Sequence, residues 1–225
     1  MLYKLLLQIE KYPIDFLSHL SSSLPIIIGL ISYKYLLKSH KLIILFFLFY
    51  FLKDSFALWL SLLKQNNLFI QNIEVIIETW ILALILYYAF QSITIRIIGI
   101  LVALGCGIIM IGTYQQNEVS SVGLTLFRIY SIFFCLSYFN KILKETRVKN
   151  ILHHTLFWFT AGLLMYSAGT FFMALFSDYW YGDAKQVPDE VFDKYWNATQ
   201  LLFTLFAVSS AYGLWVSKHD RTNLI

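Results

Sequence analysis

Residues 93–113 read ITIRIIGILVALGCGIIMIGT, and beyond Arg96 they carry no charged side chain. At 1.5 Å of rise per residue a helix of that length reaches about 30 Å, the thickness of a bilayer's hydrocarbon core. The run is continuously apolar and lacks the in-and-out alternation of a barrel strand. It therefore reads as a transmembrane helix.

Working outward from it, stretches of the same character recur at 14–37, 42–63, 68–90, 122–143, 151–177 and 195–216, seven in all with the first. Across the 225 residues, 59% are apolar and only 13% charged. A soluble domain of this length cannot hide that much apolar surface, whereas lipid covers it. Three prolines and ten glycines leave little room for linkers. Residues 1–225 are thus expected to form a single all-α domain, a polytopic seven-helix transmembrane bundle with the lipid bilayer as its first partner.

The net charge of +4 does not point to nucleic acid, because the basic residues sit at helix ends and form no patch. Cys106 and Cys135 lie inside apolar runs and read as packing residues. No cleavable signal peptide is evident. Met1 to Tyr12 looks like a short interfacial amphipathic segment, with Leu2, Leu5, Leu6 and Ile9 opposite Lys4 and Lys11.

Orientation follows from the lysines and arginines on alternate sides of the spans. Lys34, Lys38, Lys41, Arg96, Lys141, Lys144, Arg147, Lys149, Lys218 and Arg221 share one side; Lys4, Lys11, Lys64, Lys185 and Lys194 share the other. The richer side is expected to be cytoplasmic. That puts the N-terminus outside and the C-terminus in the cytoplasm. The acidic, aromatic loop from Asp178 to Lys194 then falls outside.

A charged side chain at the centre of a helix in a bilayer costs about 2.5–3.5 kcal/mol, so each one needs a reason. Gln71, Glu74 and Glu78 are spaced i, i+3, i+7 and share one helix face. Asp54 lies on a stripe with Tyr50, Ala57 and Ser61, and Lys53 is offset from it by about 100°. Arg128 lines up with Ser131, Cys135 and Tyr138; Asp15 and His19 with Ser22; Asn197 and Gln200 with Thr204. In the seven-span topology these groups gather in the outer half of the bundle, while the cytoplasmic halves read as nearly pure Leu, Ile, Phe and Ala. Buried ion pairs that merely fix helix register, such as Glu78 with Arg128, are the competing reading. Asp15 also reads as a headgroup residue. Gly99, Ala103, Gly107, Gly162 and Gly169 read as helix-packing positions.

The residues expected to bind a ligand are accordingly Glu74, Glu78, Gln71, Lys53, Asp54, Arg128, Asn197, Gln200 and His19. Together they describe an outward, mildly acidic pocket suited to a small polar or cationic ligand. The leading expectation is a receptor-like sensor that signals to a cytoplasmic partner docked on the Lys141–Asn150 loop. A small-solute or proton/cation transporter is the alternative, since embedded carboxylates at i, i+4 suit cation binding. Against it, Pro25 is the only interruption of the kind that broken-helix carriers show. An intramembrane metal-dependent hydrolase is disfavoured, because His40, His153, His154 and His219 lie at the inner ends, away from these carboxylates. No cofactor and no catalytic residue is expected.

Families with sharp signatures are excluded by single positions. The last span has no lysine to carry a retinal, and the Pro-Gln signature of three-plus-one-plus-three sugar carriers is absent. Asn72-Ile-Glu-Val-Ile-Ile-Glu78 running to Tyr87-Tyr88, Leu156-Phe-Trp-Phe-Thr-Ala-Gly162 through Tyr166-Ser-Ala-Gly169, and Tyr195-Trp-Asn197 are the stretches that carry a likeness. Over nearly its whole length the chain resembles a group of uncharacterised bacterial seven-helix integral membrane proteins. The resemblance implies a fold and a sensory association, but no activity.

Overall fold

The computed structural model describes residues 2–145, 150–181 and 187–220, and every regular element among them is helical. In chain order these are α1 (Leu2–Lys11), α2 (Pro13–Ser21), α3 (Ser23–Ile31), α4 (Lys38–Leu62), α5 (Leu68–Ala89) and α6 (Ile93–Gly112). They continue as α7 (Ser121–Glu145), α8 (Thr155–Gly169), α9 (Phe171–Leu175), α10 (Ser177–Tyr181) and α11 (Asp189–Val216). Six are long and apolar enough to cross a bilayer, with α2 and α3 counted as one: Pro13–Ile31, α4, α5, α6, α7 and the α11 segment. This is the make-up of a helical membrane protein.

Three expected spans come out differently, and the last of them, expected from 195, already begins at Asp189. The first ends at Ile31 and bends at Ser22. Pro25 has no N–H to give the Ser21 carbonyl. The hydroxyls of Ser21, Ser22 and Ser23 each donate to a carbonyl three residues back, at 2.6 Å, which further loosens this turn. The stretch 151–177 is a larger correction, because it is no single span-length helix. It starts as a 3-10 turn (Ile151–His153), continues as α8, and breaks at Thr170 and again at Phe176. The break at Thr170 needs no proline. The Tyr166 carbonyl accepts both its N–H, at 3.0 Å, and its hydroxyl, at 2.7 Å, a bond pattern that bends helices.

Neighbouring helices alternate in direction. Lys53 of α4 meets Glu74 of α5, and Asn67 just before α5 donates to Ala57 O near the end of α4. Gly99 and Gly107 of α6 face Leu86 and Trp80 of α5. Arg128 and Tyr138 of α7 meet Tyr166 of α8 and His154 just before it. Gly162 and Gly169 of α8 face Phe206 and Leu202 of α11, and Gly213 faces Thr155. Three pairs run parallel instead: α5 with α7, through Asn72–Ser120 and Val75–Gly123, the first segment with α11, through Asp15–Trp196 and Gly29–Leu214, and α4 with α8, through Phe46–Phe159 and Tyr50–Tyr166. Ser121 at the start of α7 donates to Asp178 of α10 at 2.8 Å, so the broken segment ends beside the α6–α7 turn.

Lipid is as apolar as leucine, so helices in a bilayer associate through close packing and internal hydrogen bonds. Both are present. An α-carbon substituent at Gly213 would meet the Thr155 carbonyl oxygen at 2.8 Å, so only glycine lets α8 and α11 approach this closely. Phe46, Phe47, Phe159, Phe203 and Phe206 form a fully buried aromatic cluster with ring centroids 5.0–6.2 Å apart. The outer surface is apolar by contrast: Ile97, Ile98, Leu101, Ile108 and Ile111 of α6 are all exposed. Buried Asn72 pins the α6–α7 turn, donating to Gln115 O and Glu118 O and accepting from Ser120 N. At the α4–α5 turn Lys64 takes a positive φ of 57°, and Gln65 N and Lys64 N close on Leu60 O and Ser61 O, a Schellman cap without its usual glycine.

Candidate functional site

The helix faces that carry charge converge near the α4–α5 end of the bundle. On α5, Gln71, Glu74 and Glu78 point the same way because three, four and seven residues return a helix to nearly the same side. They line a cavity of about 230 Å³. α4 supplies Tyr50, Lys53, Asp54 and Ala57; α7 supplies Arg128; Tyr166 and Thr170 come from the broken segment; Trp196, Thr199, Gln200 and Phe203 come from α11. Glu78 lies ten residues into α5, a depth of about 15 Å.

Within the cavity the charges fall into two groups. Lys53 is saturated: its Nζ lies 2.6 Å from Asp54 Oδ1, 2.9 Å from Glu74 Oε1 and 4.0 Å from the centre of the Tyr50 ring. Its helical offset from Asp54 is bridged by the length of its own side chain. Glu78 and Arg128 are the second group. Both are buried, at 2% and 8% exposure, and neither has an oppositely charged side chain within 4.0 Å among the described residues. The register pair that the sequence offered as a competing reading is not formed. Arg128 Nη2 donates to the Tyr166 hydroxyl at 2.9 Å, and the guanidinium lies 4.3 Å from the Tyr166 ring centre. Among the described residues, Arg128 Nε and Glu78 Oε1 have no hydrogen-bond partner.

A second hollow of about 170 Å³ shares Asp54, Trp196 and Gln200 with the first, and is lined on its far side by Gln8, Tyr12, Asp15 and His19. His19 Nδ1 stands 3.8 Å from Asp54 Oδ2, and its ring stacks on Phe51. Asp15 accepts a hydrogen bond from Trp196 Nε1 at 2.7 Å, which ties the first segment to α11. Eight of the nine expected residues thus border these two hollows, and Asn197 borders neither. The stripe that α11 turns inward is Trp196, Thr199, Gln200 and Phe203, and Asn197 lies off it. Tyr166 and Thr170 gave no signal in the sequence. One is a tyrosine among fifteen, and the other owes its place to the helix break.

The opposite end of the bundle corrects the expectation of a purely apolar half. His154 Nδ1 lies 2.6 Å from Asp220 Oδ1, and His154 Nε2 meets the Tyr138 hydroxyl at 2.5 Å. A carboxylate only accepts, so Nδ1 carries the proton and Nε2 receives Tyr138's. Asp220 also accepts the Thr155 N–H at 3.1 Å, at the N-terminus of α8, and its second oxygen lies 3.5 Å from His40 Nε2. All four side chains are buried. Burial alone would raise the Asp220 carboxyl, but the His154 hydrogen bond and the two imidazoles outweigh it and hold it below its ordinary value. Among the described residues, no three His, Cys, Asp or Glu side chains gather in metal-holding geometry.

No family model, curated protein or solved structure matches the chain. The resemblance drawn from Asn72–Glu78, Leu156–Gly169 and Tyr195–Asn197 therefore stands on those residues alone.

Proposed function

We propose that this chain is a receptor-like sensor of the bacterial inner membrane, whose cavity takes a small polar or cationic ligand from outside. One observation carries the reading: a charged cavity sits inside an apolar bundle and is closed toward the other end by the phenylalanine cluster. A pocket with a floor suits detection, and a carrier would have to open that floor in a second, inward-facing state.

Seven crossings with the N-terminus outside go with this reading. The first segment and α11 run parallel, which fits an odd number of crossings. The crossing that this parity requires is the one made by α8 and α9, which together are long enough despite the break. Lys34, Lys38, Lys41, Arg96, Lys141, Lys144 and Lys218 cluster at the end away from the cavity, as a cytoplasmic side should. The Lys141–Asn150 loop is the proposed docking surface for a signalling partner; residues 146–149 of it lie outside the described residues. So do residues 182–186 of the acidic, aromatic Asp178–Lys194 stretch expected on the outer side.

Transport is the second reading, favoured by the break at Thr170, since carriers place interrupted helices beside their substrates and Thr170 lines the cavity. The test is a panel of polar solutes and organic cations screened by thermal shift in detergent, followed by uptake into proteoliposomes. Stabilisation without uptake is the expected result. Robust uptake of the stabilising solute would establish the carrier instead.

A further inference from the structure

We infer that the cavity is built for a small zwitterion, with an oxyanion group set on Arg128 and an ammonium group set on Glu78. The inference rests on reading the cavity as a ligand pocket and narrows what that pocket takes.

Of the five charged groups that line the cavity among the described residues, three are paired with one another. Lys53 is clasped between Asp54 and Glu74, so this trio offers an incoming ligand neither a free cation nor a free pair of carboxylates. Glu78 and Arg128 remain. Each is more than nine-tenths buried, each borders the same cavity, and each leaves a polar atom unpartnered, Oε1 and Nε respectively. A desolvated charge without a counter-charge is expensive, and two opposite ones facing one space ask for a ligand that is itself bipolar. A simple cation would satisfy Glu78 and leave the guanidinium orphaned, and a simple anion would do the reverse. A zwitterion satisfies both and leaves the cavity's charge unchanged. At about 230 Å³ the space is below the 300–1,000 Å³ of drug-sized sites, so the ligand is small. Tyr50, Tyr166, Phe203 and Trp196 supply aromatic walls for its apolar part. A free amino acid and the headgroup of a zwitterionic phospholipid share this chemistry.

The experiment uses the full chain, purified and delipidated in detergent, with binding read from the thermal midpoint. Alanine, β-alanine and 4-aminobutyrate are the probes, because they hold the same two charges at increasing separation. Butyrate and n-butylamine are the two halves of the last. At least one zwitterion should bind, with both halves weaker by about tenfold or more. Arg128→Gln and Glu78→Gln should each weaken that zwitterion by at least about tenfold. Should either variant fail to fold, the comparison of probes on the unaltered protein decides by itself. Binding of phosphatidylethanolamine added to the micelles, in competition with the probes, supports the same assignment and makes a lipid headgroup the source. Butyrate or n-butylamine binding within about threefold of the best zwitterion overturns the bipolar site but leaves the pocket standing. If no zwitterion binds while another polar solute does, the inference likewise falls and the pocket survives. If nothing binds, both fall.

Discussion

At the scale of single residues, Lys53 and Glu78 are both buried ions, yet their removal should have opposite consequences. Lys53 is the cation shared by two carboxylates at 2.6 and 2.9 Å, so Lys53→Met removes the ammonium from both and should cost about 3–5 kcal/mol of stability. Among the described residues Glu78 has no counter-charge within 4.0 Å, so Glu78→Gln should keep the folded yield and leave the thermal midpoint unchanged or raised, while abolishing ligand-induced stabilisation. Melting curves of the two variants side by side check this, and a large loss for Glu78→Gln would make that carboxylate structural. Asp220 behaves in yet another way. Its folded carboxyl is held below its ordinary value, so its contribution is complete above about pH 4 and is lost as the pH falls through the folded value. Asp220→Asn should therefore lower stability at neutral pH by about 1.5–3 kcal/mol and flatten the acid limb of a stability–pH profile. Gln71, Glu74 and Glu78 were legible in the sequence because one helix face carries them all. The His40, Tyr138, His154 and Asp220 cluster was not. Its members come from four distant segments: His40, His154 and Asp220 look like ordinary helix-end residues, and Tyr138 like one more member of the Arg128 stripe, until packing brings them together.

At the scale of elements, the close approach of α8 and α11 is set by glycines, with large aromatic side chains packed alongside them. Gly213→Ala puts a methyl group against the Thr155 carbonyl and should destabilise by about 1–3 kcal/mol. Gly105→Ala is the control. A methyl group there meets nothing within 4 Å, and the substitution should be neutral or stabilising by up to about 1 kcal/mol through helix propensity. Equal losses at the two sites, measured by thermal shift, would remove close packing as the reason for Gly213. Gly99, Ala103 and Gly107, and likewise Gly162 and Gly169, were readable as packing positions because they recur on one helix face; Gly213 has no such companion and was not. The breaks at Thr170 and Phe176 were not, because hydropathy reports whether a stretch prefers lipid and is blind to where its hydrogen bonds lapse. The same blindness let the first span run to residue 37, when the helix ends at Ile31.

At the scale of the whole molecule, composition and run length are enough to read a helical membrane protein, and the helical make-up agrees. Number of crossings and sidedness depend on finer things: the parity of parallel and antiparallel contacts, and the distribution of basic residues. Sidedness matters most, because the same cavity facing the cytoplasm would be no receptor for an external solute. It is tested directly by replacing Cys106 and Cys135, introducing Gln65→Cys at the α4–α5 turn or Lys144→Cys near the end of α7, and treating intact cells with an impermeant thiol reagent. Both introduced positions are exposed. Gln65→Cys should react in intact cells, and Lys144→Cys only after the membrane is permeabilised. The reverse pattern would turn the cavity toward the cytoplasm and contradict the proposed sensing of an external ligand.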